Sequence, residues 1–448
     1  MRLRTILYAM AFAVNAVAQG VIDVHSHIIT PEFVSALEKE GRLLDEGFPL
    51  PKWDAEAQLR WMDAAGIQTS VLTLAAPQPT STKIVRATNE AAAQLKREHP
   101  DRLRFCAALP LPDVDAAIKE ARYALDVLGA DGIKLATNAD GQYLGAPELD
   151  TLFSFLNERN AVVILHPHRP EPVNKQVMKQ TPLAMQEYLS ETTRAVSNMI
   201  SRNVLARYPN VKVIVPHCGA YLPLSISRMK SLAPVMQKKK LVGDIDWEAN
   251  LASLYYDLAG AHSAEIVRML LTITTPDHLL YGSDYPYVAT QALTASLEHM
   301  KQYLTNEPDL APYKDMILHK NAEWLLGLSQ AKPVADKQEG KMLVRLAEIE
   351  VYPKYLSEYL AFAKEVDRKS IESESGVICL FPMQSAEDST KISILEIYAS
   401  QEAYQHHLKT DHFMKYKQGT LHMVKSLNLP TMQPLDPETM SKIFKKQQ

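Results

Sequence analysis

Between Val21 and Leu328 the chain alternates short apolar runs with longer amphipathic stretches. The apolar runs are Val21–His27, Gln68–Leu74, Leu103–Leu109, Gly132–Ala136, Val162–His166, Val211–Val215, Leu254–Leu258 and His278–Gly282. Most are continuous rather than alternating, the pattern of strands covered on both faces in a parallel sheet. Helical spacing fills Asp54–Ala64, Thr88–Glu98, Val114–Leu128, Glu148–Asn157 and Glu265–Leu271. Strands alternating with helices imply parallel βαβ units, and eight of them predict a closed (β/α)8 TIM barrel, an α/β fold. The stretch Asn174–Tyr208 is longer than a barrel helix needs, so a cap or interface element is expected there.

The pattern changes after residue 328. Residues 329–341 are polar, contain Pro333 and have no hydrophobic period, which predicts a linker. Strands are then expected at Met342–Val351, Val377–Pro382, Lys391–Ala399 and Thr431–Leu435, with helices at Tyr355–Arg368, Gln401–Leu408 and His412–Lys425. That βαββαβ order predicts a ferredoxin-like α+β domain over residues 342–436, followed by a tail at 437–448.

At the other end, Arg2 and Arg4 precede the apolar run Ile6–Val14 and the small residues Ala16-Val17-Ala18. These are the parts of an export signal over residues 1–18, cleaved near Ala18. The run is short of the roughly 20 residues a spanning helix needs. An exported, periplasmic protein free of the membrane after cleavage is therefore expected, or a cytoplasmic one if the segment is not a signal.

Composition narrows the function. A net charge of −4 gives no electrostatic footprint for nucleic acid. Cys106, Cys218 and Cys379 are odd in number and far apart, so no disulfide framework is implied. Cys218 draws notice because it follows His217 at a strand end; a packed small residue is the expectation.

Four strands end in metal-capable side chains: VIDVHSH (Val21–His27), VVILHPH (Val162–His168), VKVIVPHC (Val211–Cys218) and LLYGSD (Leu279–Asp284). Strand C-terminal ends are where a β/α barrel carries its chemistry. His25 and His27 are two apart and share a strand face, so both imidazoles can reach one cation. His166 and Asp284 add an imidazole and a carboxylate, a donor set suited to Zn2+ or another divalent first-row ion. His217 is a further imidazole placed for proton transfer. His168 and His262 lie just beyond strand ends and could face a substrate. Arg169 and Arg228 could clamp a carboxylate through paired hydrogen bonds.

These motifs, with GIKLATNADGQYLG (Gly132–Gly145), YGSDYP (Tyr281–Pro286) and Asn321-Ala322-Glu323, resemble the aminocarboxymuconate-semialdehyde decarboxylase-like branch of the amidohydrolase superfamily over residues 21–328. The resemblance implies one divalent metal, commonly zinc, held by His25, His27, His166 and Asp284. His217 and Asp284 would be catalytic, with no organic cofactor. Cys218 departs from the branch, which more often has glycine or alanine there. Some metal-dependent hydrolases of this fold carry a carboxylated lysine on the fourth strand, where Lys134 stands. Members of the branch are mostly non-oxidative decarboxylases of aromatic or unsaturated acids, with hydrolases of C–C bonds, lactones or amides a minority. A small-molecule carboxylate is the implied substrate.

Downstream, LEIYASQEAYQHHLKTDHFMKY (Leu395–Tyr416) and GVICLF (Gly376–Phe381) resemble the antibiotic-biosynthesis-monooxygenase domain. Such domains usually pair their sheets, which implies a homodimer. Some oxidise quinols without a cofactor, which leaves a bifunctional enzyme open. His407 and His412 match the family's histidines and are the expected pocket residues.

Overall fold

The computed structural model describes residues 20–79, 81–172, 174, 176, 181–330, 333, 343–374 and 376–432. The expected export segment, nearly all of the linker, the tail and part of the Asn174–Gln186 loop lie outside the described residues. The described chain forms two compact units, divided after Leu304 and again around residue 335, with Thr305–Pro312 grouped with the second.

The first unit is the expected barrel. Its strands are β1 (Val21–Ile28), β2 (Ile67–Leu74), β3 (Leu103–Ala108), β4 (Gly132–Ala136), β5 (Val162–His166), β6 (Lys212–Val215), β7 (Leu254–Asp257) and β8 (Leu279–Leu280). They lie side by side in chain order, all parallel. The seam closes where Val24 N donates to Tyr281 O (3.0 Å), His27 N donates to Tyr285 O (2.7 Å), and Ser26 bridges Tyr285. β1, β4 and β5 are buried at every position, as continuous apolar runs require.

Local chemistry sets the helix ends. Asp54 caps Ala55–Ala65 by accepting from the amides of Glu56 and Ala57, and Gly66 ends that helix in a left-handed conformation. The helix expected from Thr88 starts at Thr82. The one expected through Leu128 is α-helical to Tyr123 and widens into a π turn at Ala124–Leu128. Asn174–Tyr208 contributes the helices Glu187–Ser201 and Val204–Arg207. No helix among the described residues is long and apolar enough to cross a membrane.

The second unit is an antiparallel sheet of β9 (Leu343–Val351), β10 (Val377–Gln384), β11 (Lys391–Tyr398), β12 (Val424–Asn428) and β13 (Thr431–Met432). Its order is β10-β11-β9-β12, with β13 also on β9, the ferredoxin-like arrangement. Tyr359 and Ala363 of helix Leu356–Ser373 pack on Ala347, Ile349, Ile392 and Ile394. The helix expected over His412–Lys425 ends at Thr420. Lys425 belongs to β12, where Glu350 accepts from its amine at 2.6 Å.

Candidate metal centre

β1 delivers His25 and His27 to one place, with ring centroids 5.1 Å apart. His166, the last residue of β5, brings its ring within 5.4 Å of His25 and 4.7 Å of His27. His217 and Asp284 follow β6 and β8 on left-handed backbone, at φ 54° and 65°. Asp284 is the hub. Its Oδ1 lies 3.1 Å from His27 Nε2 and 3.5 Å from His25 Nε2, and its Oδ2 lies 3.7 Å from His217 Nε2.

The far nitrogens fix the rings. His25 Nδ1 is 2.9 Å from Asp257 Oδ2, His27 Nδ1 is 3.1 Å from Thr73 Oγ1, and His166 Nδ1 is 2.8 Å from Pro167 O. With those contacts made, the Nε2 atoms are left for the centre of the site. Ligand atoms of His25, His166, His217 and Asp284 all lie within 4.8 Å of one another, and His27 joins through Asp284. His25 Nε2 is buried and has no hydrogen-bond partner among the described residues. A buried imidazole nitrogen facing a carboxylate with no hydrogen bond is costly unless a cation, either a proton or a metal ion, sits between them. The donors therefore fit a divalent metal.

Charge in the metal-free protein follows from burial and neighbours. Burial opposes a cation on His25, but Asp257, Asp284 and Asp23 outweigh it and hold its pKa up at about 9. Burial pulls His27 down to about 4 despite Asp284, and burial first, then the His27 and His25 imidazoles beside it, take His166 well below the usual range. Burial alone would raise Asp284; the His217 and His27 imidazoles instead keep it well below the usual carboxylate range.

Asp257, at the end of β7, was not singled out from the sequence. Besides holding His25, its Oδ1 accepts from the amides of His217 (3.1 Å) and Ala259 (3.0 Å). The signal was present, because YYD ends an apolar run as the other motifs do. Placing that strand's end at Leu258 hid it.

A cavity of about 670 Å³ opens over His166, His217 and Asp284. Phe48, Met185, Tyr188, Leu189, Ile266 and Tyr287 make its walls largely apolar. Among the described residues lining it there is no lysine or arginine.

Four expected substrate contacts are not in that lining. The two terminal nitrogens of Arg169 are engaged by Asp45 and Glu171, each at 3.3 Å. Both nitrogens of His262 are taken, by Ser296 Oγ at 2.8 Å and Tyr303 OH at 3.2 Å. His168 Nδ1 lies 2.8 Å from Glu46 Oε1, and Glu46 Oε2 accepts from Tyr188 OH at 3.0 Å, so His168 reaches the cavity wall only through Tyr188. Arg228 is exposed on helix Leu222–Lys238. Lys134 is buried and donates to Gln78 Oε1 at 2.5 Å, outside the ligand cluster. The Cys218 thiol is buried against Ala259 O at 3.7 Å, and burial pushes its pKa up, against a nucleophile.

In the second unit His407 lines a cavity of about 480 Å³ with Tyr398, Tyr404 and Phe413. His412 does not line it; its ring is held by Glu374 Oε1 at 2.6 Å.

Residues 22–328 match the family model described as amidohydrolase, and residues 342–419 the one described as antibiotic biosynthesis monooxygenase. A decarboxylase of Aspergillus niger is 34% identical over 303 residues, covering 63% of this chain and 81% of that protein. The 6-methylsalicylic acid decarboxylase of Penicillium expansum is 30% identical over 293 residues, covering 63% and 90%. A crystallised amidohydrolase superposes with a TM-score of 0.63 at 31% identity, over 68% of this chain and 99% of that one. A dihydroxybenzoic acid decarboxylase of Polaromonas, crystallised with manganese, shares the fold at 19% identity and a TM-score of 0.58, over 70% and 98%.

Proposed function

The chain belongs to the amidohydrolase family, and from that premise we propose that its barrel is a divalent-metal-dependent carboxy-lyase for small aromatic carboxylates. One observation carries the reading: the unpaired, buried Nε2 of His25 faces Asp284 at the floor of an apolar cavity. The decarboxylase names of the two fungal relatives supply the reaction type.

His25, His27, His166 and Asp284 would hold the ion, with His217 beside them. When bound, a divalent cation takes substrate oxygens and steadies the negative charge that develops during the reaction. The aromatic walls stack the ring and exclude water. The ring carbon bearing the carboxylate gains a proton, the C–C bond breaks, and its electron pair restores the aromatic ring as CO2 leaves. Asp284 rests ionised, so the proton delivered to the ring comes from His217, with Asp284 orienting that imidazole across 3.7 Å. Zinc and manganese are the ions to test, the second because the Polaromonas enzyme was crystallised with it.

The test is CO2 release from alkyl-substituted hydroxybenzoates by protein stripped with chelator and reloaded with each metal. Turnover that needs metal and yields CO2 is expected. Ester or lactone cleavage without CO2 would make it a hydrolase, and full turnover in stripped protein would refute the metal's role.

For the second unit we propose a dimerising role. On the sheet face away from its helices, Phe381 pairs with Leu395 and Leu395 with Leu346. Phe381 and nearby Met383 are 58% and 40% exposed. Light scattering should give a dimer mass that Phe381→Lys lowers; a monomeric parent would refute it.

A further inference from the structure

A second set of metal-capable side chains converges at three helix ends of the C-terminal unit. Glu374 caps helix Leu356–Ser373, His407 ends helix Gln401–His407, and His412 opens helix Asp411–Thr420. Glu374 Oε1 lies 2.9 Å from His407 Nδ1 and 2.6 Å from His412 Nε2. Ligand atoms of all three lie within 4.8 Å of one another.

A plain hydrogen-bonded cluster would account for two imidazoles on a carboxylate, but it leaves the second oxygen open. Both crowd Oε1, while Oε2, on a side chain only 4% exposed, has no hydrogen bond within range among the described residues, although the Ser370 hydroxyl lies close to the carboxylate. Each carboxylate oxygen can accept two donors, so the two imidazoles fill Oε1 and leave the acceptor sites of Oε2 open. A third imidazole is near: His406 Nδ1 stands 3.8 Å from Oε2 on a ring 74% exposed. Three imidazoles around one buried carboxylate make the four-ligand N/O set of a zinc-class site. The exposed His406 ring gives an ion its way in.

We propose that Glu374, His407 and His412 form a second divalent transition-metal site, completed when the His406 ring turns in from solvent as the fourth ligand. The ion belongs to the zinc class, because imidazole-rich sites favour it over magnesium or calcium. Bound there, it ties three helix ends together. It also fixes His407, whose ring packs on Phe413 with centroids 4.6 Å apart and lines the 480 Å³ cavity. This inference does not rest on the chemistry of the barrel.

The experiment uses the full chain with the barrel ligands removed, His25→Ala with His166→Ala, equilibrated with zinc against a competing chelator. Elemental analysis should find one zinc retained per chain. Adding Glu374→Gln should remove it, and adding His406→Ala should weaken it at least about tenfold. Cobalt in place of zinc should show the visible bands of a tetrahedral site, which reads the site even if a C-terminal variant fails to fold. A barrel-ablated chain that retains no zinc and shows no such bands would overturn the proposal. So would retention unchanged by Glu374→Gln.

Discussion

Asp257→Asn separates what holds the metal from what holds the fold. Asp257 serves three buried donors: His25 Nδ1 through Oδ2, and the amides of His217 and Ala259 through Oδ1. Asparagine keeps the shape but has one acceptor oxygen. If that oxygen stays with the two amides, the new NH2 group faces His25 Nδ1. The imidazole proton must then move to Nε2, the atom 3.5 Å from Asp284 that a metal would need. The opposite orientation strands two buried amides at about 1–3 kcal/mol each. The first arrangement is therefore preferred, and the loss falls on the metal. Removing such an orienting partner weakens metal binding on the order of 10–100-fold, about 1.4–2.7 kcal/mol. Turnover titrated against buffered free metal should shift by that factor, with kcat largely recovered at saturation. Parent-like affinity would refute the reasoning. A large fall in Tm at parent-like affinity would mean that Asp257 supports only the turn carrying His217.

Four other outcomes follow from particular contacts. His27→Ala should lose metal, whereas His217→Gln should keep it and lose turnover by roughly 10²–10⁴-fold; metal analysis beside kcat decides, and the reverse pattern would exchange their roles. Gly282→Ala places a methyl 2.8 Å from His25 Cβ and 3.2 Å from Asp257 Cβ, so stability should fall by about 1–3 kcal/mol together with metal content. A variant as stable as its parent would show that the β1–β8 approach can relax. Asp367 is pushed up from 3.8 to about 7 by burial and then by Glu396. The unfolded chain then binds fewer protons between those values, so stability falls as pH rises from 3.8 to about 7 and is level above. Asp367→Asn should gain about 1–2 kcal/mol above pH 7, after discount for partial exposure, and nothing near pH 4; denaturant unfolding at both pH values tests this. Finally, if residues 1–18 direct export, N-terminal sequencing of periplasmic protein should begin near Gln19; an intact Met1 there would refute cleavage.

The barrel was legible because parallel strands buried on both faces must be continuously apolar, and a polar residue ending such a run stands out. His25, His27, His166, His217 and Asp284 were found that way and do converge. Legibility failed once the chain left the ladder. Past Pro167 the two-residue alternation no longer fixes direction, so His168 turns to Glu46 and Arg169 to Asp45, partners far away in sequence. Glu374 had no motif at all; only the meeting of helix ends makes it a neighbour of His407 and His412.

The backbone of the site was equally hidden, and it explains why site and fold are coupled. His217, Cys218 and Ala220 all have positive φ, as does Asp284, and only Gly219 among its neighbours signals a left-handed turn. Such residues cost of order 1–3 kcal/mol each and persist only where neighbours hold them. The anchors are other members of the site. Asp257 accepts from His217 N, and His25 O accepts from Asp284 N at 2.8 Å. That second bond belongs to the β8–β1 seam that closes the barrel. Substitutions at the seam, such as Gly282→Ala, should therefore move stability and metal content together, whereas His217, at the cavity edge, can lose its imidazole and leave both in place.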